Sequence, residues 1–307
     1  MKIAVPDLVS NSYFPAPAAA ELGFFNREGL DVTYELIFPV DDAYKALRDG
    51  TVDFVAGSAH ATQAAFPEWQ GAKAVCALSQ GMYWFLVAKT ELNIALGDTD
   101  AIKGLNIGAA PWVDIGLKRL LTELGIDAEN DVNIAPIPGT VVPGVSFGVT
   151  AAAALEEKRI DAFWANGMGA EVAVTRGVGS IVLDPRRGVG PAASFNYTQP
   201  ALVTTEKLID EDPETVASAV RAIVNVQKAI KADVSLATEV GRKTFPEAEA
   251  ALIAQVVERD LPYYDAAISE NFDLGMNAFS RDMGLLSGDP AFEEVVATQF
   301  SDFWQGG

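Results

Sequence analysis

The sequence predicts an α/β fold built as two similar lobes, each a mainly parallel sheet flanked by helices. Three observations predict it. Short β-branched runs alternate with helical stretches from the start of the chain, the signature of βαβ units. The same alternation then returns with an offset of about 100 positions. A length of 307 residues suits two lobes better than one core.

The elements follow in order. Residues 2–5 read as a strand and residues 15–28 as a helix. Pro15 and Pro17 fall in its first turn, where proline is tolerated, and Gly29 ends it. A strand over 32–37, a helix over 42–49 closed by Gly50, a strand over 52–56 and a third helix from 59–66 complete the first pattern. The run Ala74-Val75-Cys76-Ala77-Leu78 is apolar and strand-like.

The second pattern matches the first piece by piece. Asp31-Val32-Thr33-Tyr34-Glu35-Leu36-Ile37 pairs with Asp131-Val132-Asn133-Ile134-Ala135-Pro136-Ile137. Ala46-Leu47 and Val52-Asp53 pair with Ala154-Leu155 and Ile160-Asp161. The second lobe opens near Ala101, with a first strand over 105–108. Its first helix presents Val113, Leu117, Leu120, Leu121 and Leu124 on one face, a stripe that outweighs the weakening effect of Gly116. A strand over 201–205 and helices over 213–231, 234–244, 247–259 and 289–303 follow, without a further βαβ unit. This tail is expected to return to the first lobe. The expected division is 1–95, 96–197 and 198–307. Two crossings between lobes make a hinge, and hinge closure around a ligand in a central cleft is the expected motion.

Composition excludes several classes. There are 42 acidic and 22 basic residues, for a net charge of −20. Such a chain is repelled by nucleic acid and by anionic lipid, so no nucleic-acid partner is expected. No apolar run approaches the roughly 18 residues of a membrane span. A single cysteine, Cys76, allows no internal disulfide, and a single histidine, His60, leaves no His-rich metal site. No cofactor is expected.

In open α/β sheets, ligands sit beyond the carboxyl ends of strands and near helix N-termini. That rule selects Ser10, Asn11, Ser12, Tyr13 and Phe14 after the first strand, and Ser58 and His60 after the third. It selects Gln80, Tyr83 and Trp84 after the Cys76 run. In the second lobe it selects Trp112, Trp164 and Asn166, with Asn196 and Tyr197 near the return crossing. The aromatic members can stack on an organic body, and the amides and hydroxyls can fix polar groups. These loops carry no Lys or Arg, so an arginine clamp on an anion is not expected. An aromatic or heterocyclic solute fits, as does a sulfonate or monocarboxylate held by backbone N–H groups and hydroxyls.

Residues 18–32 carry the pattern A-x-x-x-G-F-F-x-x-E-G-L-D-V as Ala19, Gly23, Phe24, Phe25, Glu28, Gly29, Leu30, Asp31 and Val32. This segment resembles the periplasmic substrate-binding proteins of ABC importers for nitrate, alkanesulfonates, taurine and thiamine-pyrimidine precursors. Gly50-Thr51-Val52-Asp53-Phe54 resembles the G-x-V-D-F of that family. Lys103-Gly104-Leu105-Asn106-Ile107-Gly108 resembles its L-K-G-K-x-I-G, with Ile102 in place of Leu and Leu105 in place of the second Lys. Residues 154–162 resemble its A-L-x-x-G-x-x-D-A, except that Lys158 stands where Gly is usual. The likeness spans residues 1–245. It implies a type II periplasmic-binding-protein fold that captures a small molecule as a monomer and delivers it to an ABC permease in the inner membrane. It implies a periplasmic location for a mature form whose export signal has been removed, or a cytoplasmic one if Met1 is the native start. The expected protein is not an enzyme. The rival is a lyase or hydrolase on the same fold, resembling a desulfinase, a decarboxylase or a pyrimidine synthase. It would have to use Ser12 with His60 as its base.

Overall fold

The structure, a computed structural model, describes residues 1–140 and 146–304. The chain divides into two compact units, one of Met1–Gly81 with Asn196–Gly307, the other of Met82–Phe195.

Unit 1 starts with β1 (Lys2–Val5), α1 (Pro15–Glu21), α2 (Phe24–Arg27), β2 (Thr33–Leu36), α3 (Val40–Arg48), β3 (Phe54–Ser58) and β4 (Ala72–Ala77). The single helix expected over 15–28 is two helices, because Gly23 takes a left-handed φ of 73° and turns the chain between them. The third helix expected from 59 is a tight 3₁₀ stretch over Ala59–Ala64.

Unit 2 holds β5 (Trp84–Lys89), β6 (Asn106–Ala109), α4 (Asp114–Glu123), β7 (Asn133–Ala135), α5 (Phe147–Glu156), β8 (Ala162–Asn166), α6 (Gly167–Thr175) and β9 (Gly179–Leu183). Its sheet runs β7-β6-β8-β5-β9. β6 pairs in parallel with β7 and β8, whereas β5 is antiparallel to β8 and β9. Gly116 of α4 has a packing reason. A Cβ there would stand 3.0 Å from Trp84 Cζ3 and 3.4 Å from Met82 Sδ.

Unit 1 resumes with β10 (Pro200–Thr205), α7 (Glu206–Glu211), α8 (Pro213–Ala232), α9 (Ser235–Thr244), α10 (Glu247–Asp260), α11 (Glu270–Asp282), α12 (Phe292–Val295) and α13 (Ser301–Trp304). Its sheet runs β2-β1-β3-β10-β4, with β1 parallel to β2 and β3, and β10 antiparallel to β3 and β4. The two sheets therefore share one plan. A parallel βαβαβ trio is extended by the strand that follows each change of unit, and that strand runs antiparallel. In each sheet four of the five strands run one way, as the expected mainly parallel sheets require, and the strand arriving directly from the other unit, which needs no crossover helix, is the antiparallel one.

The expected boundary at 95 lies beyond β5, which pairs with β8 and β9 and so belongs to unit 2. The expected helix over 289–303 is broken. Val296 leaves α12 to bridge Ala74, and the chain re-enters helix only at Ser301. The sequence reading missed α11, where an apolar face of Phe272, Met276 and Phe279 is buried. Along α8, Val216, Val220, Ile223, Val226 and Ile230 are buried at helical spacing, and α1, α2 and α13 pack on this helix.

Candidate functional site

In unit 1, the loop after β1 and the 3₁₀ stretch after β3 form one polar neighbourhood. The Tyr13 hydroxyl lies 3.2 Å from Ser58 Oγ, and Tyr44 donates to the Ser58 carbonyl at 2.8 Å. Two residues beyond Ser58, His60 Nδ1 lies 2.9 Å from Thr198 Oγ1. The His60 ring meets Phe279 edge-on at 5.6 Å, and Phe279 stacks on Tyr197 at 4.7 Å. The loop itself is pinned from α10 and the segment after it. Asn11 Nδ2 donates to Asp260 Oδ2, and the Tyr264 hydroxyl donates to the Asn11 carbonyl at 2.6 Å. Ser10 Oγ accepts from the Ser12 amide at 3.2 Å. Asn11, Ser12, Ser58 and His60 are all fully buried. Yet the Ser12 hydroxyl and Asn11 Oδ1 have no hydrogen-bond partner among the described residues.

In unit 2, the sheet supplies an aromatic cluster. Tyr83 and Trp84 lie 4.9 Å apart, and Trp84 meets Trp164 edge-on at 6.2 Å. Trp84 opens β5 and Trp164 sits within β8, where the sequence had suggested loops. Trp164 Nε1 donates to the Val113 carbonyl at 3.2 Å, tying the cluster to the start of α4. Trp112 holds a left-handed φ of 69°, a strained conformation for a bulky residue. Asn166 caps α6, its Oδ1 accepting from Met168 N and Gly169 N.

Other selected residues have structural duties. Gln80 Nε2 donates to the carbonyls of Asp265 and Ala267, tying down the loop after α10. Phe14 is fully buried and meets Phe245 edge-on at 6.2 Å. Asn196 packs against α11 so closely that a Cβ on Gly275 would stand 2.5 Å from Asn196 Cβ.

The sequence reading missed Thr198, Asp260 and Tyr264 in unit 1, and Arg186 in unit 2. Arg186 is 4% exposed, with its guanidinium 5.8 Å from the Tyr83 ring centre. The one signal for Arg186 was its place just after a strand. Asp260 and Tyr264 belong to a helical tail, and nothing local links them to Asn11.

Ser12 and His60 do not form a nucleophile–base pair here, because the Ser12 hydroxyl has no hydrogen-bond partner among the described residues, His60 included. Burial pushes the Cys76 thiol well above its ordinary pKa, which leaves it un-ionised and unreactive. Among the described residues, no group of three His, Cys, Asp or Glu side chains is placed to hold a metal. Nor is any helix among them long and apolar enough to cross a membrane.

The family model described as NMT1/THI5 like matches residues 11–233. The chain is 24% identical to the riboflavin-binding protein RibY of Chloroflexus aurantiacus, over 97% of this chain and 85% of that one. Among solved structures, a protein of Bordetella bronchiseptica RB50 has a TM-score of 0.77 at 22% identity, covering 98% of this chain and 95% of its own. The ligand-binding component of an ABC-type import system from Staphylococcus aureus has a TM-score of 0.71 at 14% identity, covering 100% and 99%. The fold is thus that of two-lobed periplasmic binding proteins, with sulfonate- and nitrate-binding proteins among the neighbours. It is also the fold of the desulfurization enzyme DSZB, with a TM-score of 0.68 at 14% identity.

Proposed function

We propose that this chain, which belongs to the NMT1/THI5-like family, is the substrate-binding protein of an ABC importer. It binds a small aromatic or heterocyclic solute, closes by hinge motion and hands the solute to an inner-membrane permease. The setting is the periplasm and the working form a monomer. The observation that carries this reading is the pair of buried polar atoms on the loop after β1. Ser12 Oγ and Asn11 Oδ1 lie on the loop beyond the carboxyl end of a parallel strand, where α/β sheets bind ligands, and have no partner among the described residues. A buried polar group left unpaired costs about 1–3 kcal/mol, which a bound solute would return as affinity.

In unit 1 this reading takes Ser10, Tyr13, Ser58, His60 and Tyr197 as further binding residues; in unit 2, taken by itself, it takes Tyr83, Trp84, Trp112, Trp164 and Asn166. Asn196, Gln80 and Phe14 act by holding these in place. The aromatic cluster of unit 2 favours a flat solute over nitrate, and the likeness to a riboflavin-binding protein points the same way. The reading is of a binding protein, not an enzyme. The unpolarised Ser12 and the buried Cys76 support that choice over a desulfinase-like mechanism.

The test is a thermal-shift screen of the purified protein with riboflavin, pyrimidines, aromatic carboxylates, sulfonates and nitrate, followed by mass spectrometry of each hit. A stabilising compound recovered unchanged is the expected result, since binding only the folded state raises apparent stability. Recovery of a chemically altered compound would make this an enzyme, and a screen without stabilisation would refute the binding reading.

A further inference from the structure

Two more buried amides border the polar neighbourhood of unit 1. Gln199 is fully buried and Gln63 is 6% exposed, yet neither the Nε2 nor the Oε1 of either side chain has a hydrogen-bond partner among the described residues. Both border His60. Gln63 lies three residues on in the Ala59–Ala64 stretch, and in a 3₁₀ helix residues three apart eclipse one another. Gln199 follows Thr198, the partner of His60, and its carbonyl accepts from the Ala59 amide at 3.0 Å. No charged residue occurs in 59–64 or in 196–200.

A primary amide left without partners in a protein interior is costly, and native proteins keep few of them. Two such amides, in the segments of His60 and Thr198 and with four unpaired polar atoms between them, need an explanation. A primary amide offers a donor and an acceptor side by side. Its complement is a group that also presents an N–H next to a C=O. A carboxylate or sulfonate offers acceptors alone and would leave both Oε1 atoms unpaired.

From this, and resting on the binding-protein reading above, we infer that Gln63 and Gln199 hold the solute. The solute is then an uncharged heterocycle bearing an amide, imide or ureide edge. Ser12 and Asn11 Oδ1 add a hydroxyl and an acceptor on the neighbouring loop.

The experiment uses Gln63→Met and Gln199→Met, which conserve length and remove the polar atoms, in the full chain. Each is measured by calorimetry without solute and by titration with the solute that the screen identifies. Riboflavin and its N3-methyl derivative, which lacks the imide N–H, serve as probes on the unaltered protein. The expected result is a melting temperature raised by about 2 °C or more in each variant, because an unpaired buried amide is gone. Solute affinity falls about tenfold or more in the same variants, and N3-methylation weakens binding to the unaltered protein by a similar factor. Variants that melt lower or fail to fold would overturn the inference, since the amides would then be structural. So would equal affinity for the two probes. Solute binding that both variants keep overturns this inference alone. Failure of the unaltered protein to bind any compound overturns the importer reading, and this inference with it.

Discussion

Asp273, in the first turn of α11, is 3% exposed, and its two carboxylate oxygens each accept from Asn277 Nδ2 at 3.2 Å. Burial raises its pKa from 3.8 to about 7; the Asn277 amide opposes the rise, and the charges of Asp289 and Glu293 add to it. A displacement of that size corresponds to roughly 4 kcal/mol of folding free energy at full ionisation. The helix N-terminus favours a negative charge at this position and trims that figure, so roughly 2–4 kcal/mol is the working range. The sign follows from linkage. The folded state binds the proton more tightly than the unfolded chain. Stability is therefore highest below pH 3.8 as far as this group is concerned, falls between pH 3.8 and about 7, and is level above. Asp273→Asn keeps the shape and one acceptor and removes the charge. Urea unfolding at pH 5 and pH 8 is the assay. The variant is expected to gain up to a few kcal/mol at pH 8 and distinctly less at pH 5. An equal change at the two pH values, or a loss at pH 8, would refute the reasoning.

Three further outcomes are expected. Lys158 holds a φ of 61°, and its pair with Glu91 at 2.9 Å joins two exposed side chains, so Lys158→Gly should stabilise by about 1 kcal/mol, seen as a higher urea midpoint. At Gly169, a Cβ would stand 2.7 Å from the Gly148 Cα and carbonyl, where α5 and α6 meet backbone to backbone; Gly169→Ala should cost about 2–4 kcal/mol in the same assay. Tyr264→Phe removes the 2.6 Å bond to the Asn11 carbonyl and leaves that buried oxygen unpaired; it should cost about 1–3 kcal/mol in stability and weaken solute binding, read by calorimetry and titration.

The βαβ pattern was legible because period and punctuation are local. The strands over 2–5, 32–37 and 52–56, and the helix ends marked by Gly29 and Gly50, stand close to the observed elements. The departure at Lys158 from the usual glycine was also visible in the chain, and the positive φ there gives it a physical meaning. The broken helix at Gly23 was legible in principle, since glycine inside a helical pattern is a warning, but the prolines at the start and Gly29 at the end bracketed the whole stretch as one helix. The loop after β1 and the residues Ser58 and His60 were found by one rule about strand ends, which requires only an order of strands.

What the sequence determined by itself is the class of the fold, its duplication and the polar, aromatic and nearly uncharged character of the loops after its strands. These depend on side chains a few positions apart. The tertiary structure decided that β5 joins the second sheet and that β10 enters the first between β3 and β4, because strand pairing is a contest among distant segments of similar propensity. It decided that Asn11 is bound by Asp260 and Tyr264, some 250 positions away. It decided, too, that Gln80 is spent on two backbone carbonyls while the Gln63 and Gln199 amides find no partner among the described residues. A hydrogen bond is made or refused by geometry within about 3 Å, and no local pattern in a chain records which of its amides will find one.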